Sequence, residues 1–69
     1  MNQKIDKTLH SLRILSNAYI GEGRLNVDVM AMILHADMEY MGYDVTYEES
    51  EKIVETFYRT VDEMQEIWF

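Results

Sequence analysis

The segment from Val27 to Met41, VDVMAMILHADMEYM, constrains the fold of this chain more than any other stretch. Wound at 3.6 residues per turn, it carries two apolar faces where a surface helix has one. Val27, Ala31, Leu34, Met38 and Met41 line one side, with Met30 at its edge. Val29, Ile33, Ala36 and Tyr40 line the nearly opposite side, with Met32 beside them. Polar residues fall in narrow seams, Asp28, His35 and Glu39 along one and Asp37 along the other. Such a helix has to be covered on both flanks, by its own chain or by a second molecule.

The rest of the chain is short of material for that task. With 69 residues it reads as a single all-helical domain, residues 1–69, at a size where one core is marginal. Small scaffolds are supported by disulfides, a metal or oligomerisation. Cysteine is absent, which removes disulfides and thiolate metal sites, and two histidines make a poor ligand set. No cofactor is expected, and oligomerisation or a partner is left as the support. The absence of proline and the scarcity of glycine favour long helices joined by short turns.

The boundaries of those helices are readable. The first is expected over about 3–20, with Ile5, Leu9, Leu12, Tyr19 and Ile20 as its core stripe, Leu15 at the margin, and Ile14 and Ala18 pointing outward. Gly21-Glu22-Gly23 should end it, since glycine accepts the left-handed conformation of a helix C-terminus. Asn26 is the expected N-cap of the second helix, about 27–41, which stops at Gly42. Thr46-Tyr47-Glu48-Glu49 has the form of a capping box and opens a third helix over about 47–68. Its apolar stripe is Ile53, Val54, Phe57, Val61, Met64 and Trp68, and Glu48–Lys52 and Glu55–Arg59 have the favourable i,i+4 order.

These elements predict a three-helix bundle of antiparallel helical hairpins. One face of the second helix packs on the other two helices. The other face, Val29, Ile33, Ala36 and Tyr40, pairs with a symmetry mate to give a homodimer. Leaving that face in water forgoes about 1.5–3 kcal/mol for each large side chain. The C-terminal Ile67, Trp68 and Phe69 either fold over the open end of the core or serve as an aromatic anchor for a partner.

Charge limits what the protein can bind. The net charge is −7, and beyond Arg24 only Lys52 and Arg59 oppose eleven carboxylates. A phosphate backbone is repelled by most of such a molecule, so direct nucleic-acid binding is not expected. A helix-turn-helix reading of the second and third helices fails on sign, because the would-be reading helix is acidic. No apolar run reaches the roughly 20 residues that span a bilayer, and the N-terminus has no secretory apolar core. A cytoplasmic setting without membrane contact is expected.

Candidate chemistry is sparse. His35 and Glu39 stand one turn apart, with Asp28 on the same seam, and read as a packed histidine hydrogen-bonded to a carboxylate. Asp37 to Glu48 has the outline of a calcium loop, but Met41 falls on a ligand position and the capping box starts a helix inside it. No acid, base and nucleophile are assembled, so no enzyme is expected. The exposed carboxylates of the third helix, Glu48, Glu51, Glu55, Asp62 and Glu66, suit either a solvated face or an imitation of DNA phosphates.

In brevity, acidity and methionine and tyrosine content, the chain resembles the small accessory proteins of bacteriophages and mobile elements, a resemblance of composition and not of motif. It implies a protein that binds and modulates a host macromolecule in the host cytoplasm. The expected function is therefore a protein–protein interaction module, an inhibitor or regulator of a larger protein. The alternatives are a DNA-mimicking inhibitor acting through the third helix, and a helical oligomer that binds a small molecule near Tyr40, Tyr43 and Arg24.

Overall fold

A computed structural model describes the backbone of residues 3–68 and the side chains of residues 5–67. The chain forms α1 (Gln3–Glu22), α2 (Val27–Tyr40) and α3 (Tyr47–Trp68), packed against one another. The expected all-helical architecture and its three elements are present, with ends displaced by two residues at most.

Local chemistry accounts for the boundaries. α1 runs through Gly21 and stops at Gly23, whose φ of 81° is the left-handed conformation a side chain resists. α2 closes at Gly42 in a Schellman motif: the amide of Tyr43 donates to the carbonyl of Met38, and that of Gly42 to Glu39. The capping box forms as expected, with the Glu49 amide donating to Thr46 Oγ1 at 3.1 Å and the Thr46 amide to Glu49 Oε1 at 3.5 Å. Asn26 precedes α2 as predicted but makes no side-chain cap; it contributes only its carbonyl, which accepts from Met30.

α1 and α3 run in the same sense, because Lys7 reaches the Asp44 carbonyl ahead of α3 while Tyr19 meets the rings of Phe57 and Tyr58. They form one layer, and α2 lies across it as a second. The shortest dimension, 20 Å, matches two helix diameters. The core lies between the layers. Met30, Ala31, Leu34 and Met38 of α2 are fully buried against Leu15, Val54 and the nearly buried Ile14 and Tyr58. α2 packs far more extensively on α3 than on α1, and α1 and α3 touch least.

The expected orientation of α1 is wrong. Ile5, Leu9, Leu12 and Ile20 are exposed, whereas Ile14 is buried and Ala18 packs on the core. The small residues Ser11 and Ala18 flank Ile14 on the side that meets α2, and small side chains let two helices approach closely. Ser11 makes that approach tolerable for a hydroxyl: its Oγ donates to the Lys7 carbonyl at 2.8 Å and lies 3.8 Å from Met38 Sδ. Counting large apolar residues put the stripe on the wrong side, since it ignored what close packing demands. The third helix is nearer expectation, with Val54 buried and Ile53, Phe57 and Val61 half-buried, but it also buries Ser50 and Tyr58, and Met64 is exposed. The i,i+4 pairs Glu48–Lys52 and Glu55–Arg59 are not drawn into contact; among the described residues the ion pairs are Arg24–Asp62 and His35–Glu39. Exposed pairs gain too little Coulomb energy to hold two long side chains still.

Candidate functional site

Among the described residues two apolar surfaces are open, on opposite sides of the helical layers. The first is the back of α2. Its inner face is consumed by the core, and its outer face bears the residues assigned to self-association. Tyr40 is 94% exposed, Val29 and Ala36 are exposed and Met32 projects beside them, but Ile33, assigned to the same face, is half-buried and packs against the subunit's own core. Asp28, Asp37 and Glu39 border this strip and are exposed.

The second surface is a cleft of about 670 Å³ between α1 and α3, opening away from α2. Leu15, Ile53, Phe57 and Val61 form its floor, Leu12 and Met64 its lips, and Thr8, Thr56 and Thr60 supply hydroxyls along it. Lys7, Glu49 and Lys52 stand at one end. Exposed Ile5 and Leu9 continue the apolar surface along α1, and exposed Ile67 continues it along α3. This cleft was not legible in the sequence. Its residues were, but as parts of a closed core; the available signal was that α1 carries more large apolar residues than one contact with α2 and α3 can cover.

The C-terminal cluster is only partly placed. Ile67 is largely exposed, so it does not fold over the core. The side chain of Trp68, and Phe69 altogether, lie outside the described residues.

The acidic face of α3 is present but interrupted. Glu48, Glu55 and Glu66 are exposed and Glu51 is half-buried. Asp62 is engaged, because the Arg24 guanidinium forks onto it at 2.7 and 3.2 Å. That hydrogen bond, with the cation's charge behind it, holds the Asp62 carboxyl below its ordinary range and raises the Arg24 guanidinium. Arg24 also lies over the Tyr58 ring, 4.5 Å from its centroid. Tyr58 donates its hydroxyl to the Leu25 carbonyl, and burial pushes its ionisation upward. Arg24 thus fastens the α1–α2 connection to α3 and is a structural clamp.

The remaining candidates have structural partners. His35 Nδ1 lies 3.8 Å from Glu39, and its ring meets the edge of Tyr47. The Tyr47 hydroxyl donates to the Asp28 carbonyl, so the Asp28–His35–Glu39 seam is an α2–α3 joint. Among the described residues no three potential ligands gather as a metal site. The outline from Asp37 to Glu48 is split between the last turn of α2 and the first of α3. Tyr43 packs its ring against His10 at the far end of α2 from Arg24, about 20 Å away along the helix. Tyr40, Tyr43 and Arg24 therefore do not meet within one subunit. Among the described residues no helix is long and apolar enough to cross a membrane. No protein-family model, curated protein or solved structure matches the chain.

Proposed function

We propose that this chain is a non-enzymatic interaction module that pairs with its own copies through the outer face of α2 and modulates a larger protein by covering part of its surface. One observation carries the reading: α2 is saturated with contacts on one side while Val29, Met32 and Tyr40 stand in water on the other. Contiguous exposed apolar surface of this kind marks interaction sites. A strip along one helix can meet its own copy about a twofold axis, residue against symmetry-related residue. Sedimentation of the full chain tests it. Wild type should associate at micromolar concentration, and Val29→Glu combined with Tyr40→Glu should abolish that step with helicity intact. A wild-type chain of 8.2 kDa at the same concentration overturns the reading.

The acidic face of α3 supports DNA mimicry less well, because Asp62 is tied to Arg24 and Arg59 interrupts the row. The readings differ in salt dependence: mimicry predicts partner binding that falls steeply as salt rises, apolar docking a nearly flat response. The small-molecule reading needs Arg24 of one copy beside Tyr40 and Tyr43 of another, which only antiparallel pairing of α2 provides. A thermal-shift screen with nucleotides tests that alternative.

A further inference from the structure

The outer strip of α2 has a regular register. Val29, Ile33, Ala36 and Tyr40 follow one another at steps of four, three and four residues, the spacing of a coiled-coil seam, over about 16 Å. Val29, Ala36 and Tyr40 are exposed along it, while Ile33 gives part of its surface to the subunit's own core. In such a seam the flanking positions carry the charges that choose the partner. Here they hold Asp37, directly after Ala36, and Glu39, directly before Tyr40, both exposed. The other two flanking positions are the buried Met30 and the exposed Met32.

No cation stands near these carboxylates. From Leu25 to Glu51 the chain has no Lys or Arg, against seven carboxylates, Asp28, Asp37, Glu39, Asp44, Glu48, Glu49 and Glu51. Asp28 and Glu51 extend the acidic border onto α3, where both charges, after burial, push the ionisation of Tyr47 upward. Lys7 and Lys52 line the cleft on the opposite side of the layers, and Lys7 donates to the Asp44 carbonyl. Arg24 is forked onto Asp62, and Arg59 lies in the acidic row of α3, one turn from Glu55. Arg13 is about a third of a turn around α1 from the side that packs on α2. The side chain of Lys4 lies outside the described residues. Of the histidines, His10 packs on Tyr43, and His35, if protonated, answers only Glu39, 3.8 Å away.

We propose that the outer strip of α2 seats a cationic amphipathic helix of a partner protein, apolar at its own seam positions and carrying Lys or Arg beside them. The inference rests on the reading of this strip as a docking face and names the partner it suits. A second copy covers the same apolar residues but brings only Asp37 and Glu39 to the flanks, so self-pairing works against like charge. A nucleic acid or an anionic membrane surface is repelled outright. A basic helix covers the apolar residues and neutralises both flanks at once. Self-pairing and partner binding are then competing uses of one strip, and the basic helix displaces the second copy.

Two synthetic helical peptides test this, both with Leu at the seam positions, one with Lys and the other with Glu at the flanking positions. Each repels copies of itself. Fluorescence anisotropy reads their binding to the full chain, and circular dichroism checks helicity. Wild type should bind the Lys peptide at least about tenfold more tightly than the Glu peptide. Asp37→Lys combined with Glu39→Lys should reverse that order, and helicity should hold because cations suit the last turn of a helix. If helicity is lost, Asp37→Asn combined with Glu39→Gln takes its place and should bring the two peptides within about threefold of each other. Val29→Ser combined with Tyr40→Ser should weaken the Lys peptide by about tenfold or more, since the apolar anchors seat it. Added salt should narrow the preference between the peptides without releasing the Lys peptide.

The proposal is overturned if the Glu peptide binds as tightly as the Lys peptide, or if changing Asp37 and Glu39 leaves the preference as it was. Lys-peptide binding that survives the loss of Val29 and Tyr40 also overturns it. Self-pairing fails separately. A wild-type chain that sediments as a single subunit yet takes up the Lys peptide on this strip sinks self-pairing and supports the basic partner. A chain that self-associates through the strip and takes up neither peptide does the reverse.

Discussion

α3 meets its two neighbours very differently. Toward α2 it presents Ser50, Val54 and Tyr58, all buried, flanked by Tyr47 bonded to the Asp28 carbonyl and by Asp62 bonded to Arg24 just ahead of α2. Toward α1 it presents Ile53, Phe57, Val61 and Met64, which line an open trough. The first seam has interdigitating methionines and a leucine from α2, flexible or well-shaped fillers set at helical spacing. The second has Leu12 and Leu15 facing aromatic and branched side chains across a gap, with Tyr19 as the main bridge. A chain of this length has apolar material for both seams but backbone to close only one. The open seam is where further association would contribute most.

That contrast can be broken at its tight side first. Leu34 is fully enclosed between the layers, and Leu34→Ala should cost about 2–5 kcal/mol, enough to unfold much of so small a domain. Urea denaturation measures it. A cost below about 1 kcal/mol would mean that the α2–α3 seam is no tighter than the trough.

A smaller effect is expected where α3 begins. Thr46→Ala removes the hydroxyl that accepts from the Glu49 amide and should cost about 1 kcal/mol, visible as a lower urea midpoint with unchanged slope. Tyr58→Phe should cost a similar amount, about 1 kcal/mol, by leaving the Leu25 carbonyl without its hydroxyl donor.

The Arg24–Asp62 clamp sharpens the comparison through pH. The folded state holds the Asp62 carboxyl below its unfolded value, so its contribution is fully present above the ordinary aspartate range. The contribution is lost as pH falls through the lowered folded value. Asp62→Asn should therefore melt at a lower temperature than wild type at neutral pH, and the gap should close on acidification. A gap that stays constant down to strongly acidic pH would assign the effect to packing. Both groups are solvent-exposed, and the neutral-pH difference should shrink with added salt.

The smallest effect is expected in the trough. In the isolated subunit Leu12→Ala should change stability by less than about 0.5 kcal/mol, because half of that side chain is already in water. Hydrogen exchange offers an independent view: amides of α1 should exchange faster than those of α2 and α3.

Much of this was legible beforehand, for reasons that can be named residue by residue. Helix ends were readable because Gly23, Gly42 and the Thr46–Glu49 box act through their own backbone neighbours, without help from distant parts of the chain. The inner face of α2 was readable because Ala31, Leu34 and Met38 fall on one side of a helix under any packing that uses that side. The outer strip at Val29, Ala36 and Tyr40 is open to solvent in the isolated subunit, in keeping with its separation from that inner face. The rotation of α1 was not readable. Ile5, Leu9 and Leu12 form as good a stripe as Ile14 and Ala18, and periodicity alone does not rank them.

The one-dimensional pattern determined that the chain is helical, where each helix starts and stops, and that α2 has two apolar flanks. Those properties follow from short-range backbone chemistry and from angles around a single cylinder. Only the tertiary arrangement decided that Ser11 and Ala18 turn α1 toward α2, that Arg24 clamps Asp62, and that a trough opens between α1 and α3. Each of these depends on how closely two helices can approach, which is set by the side chains of both partners together.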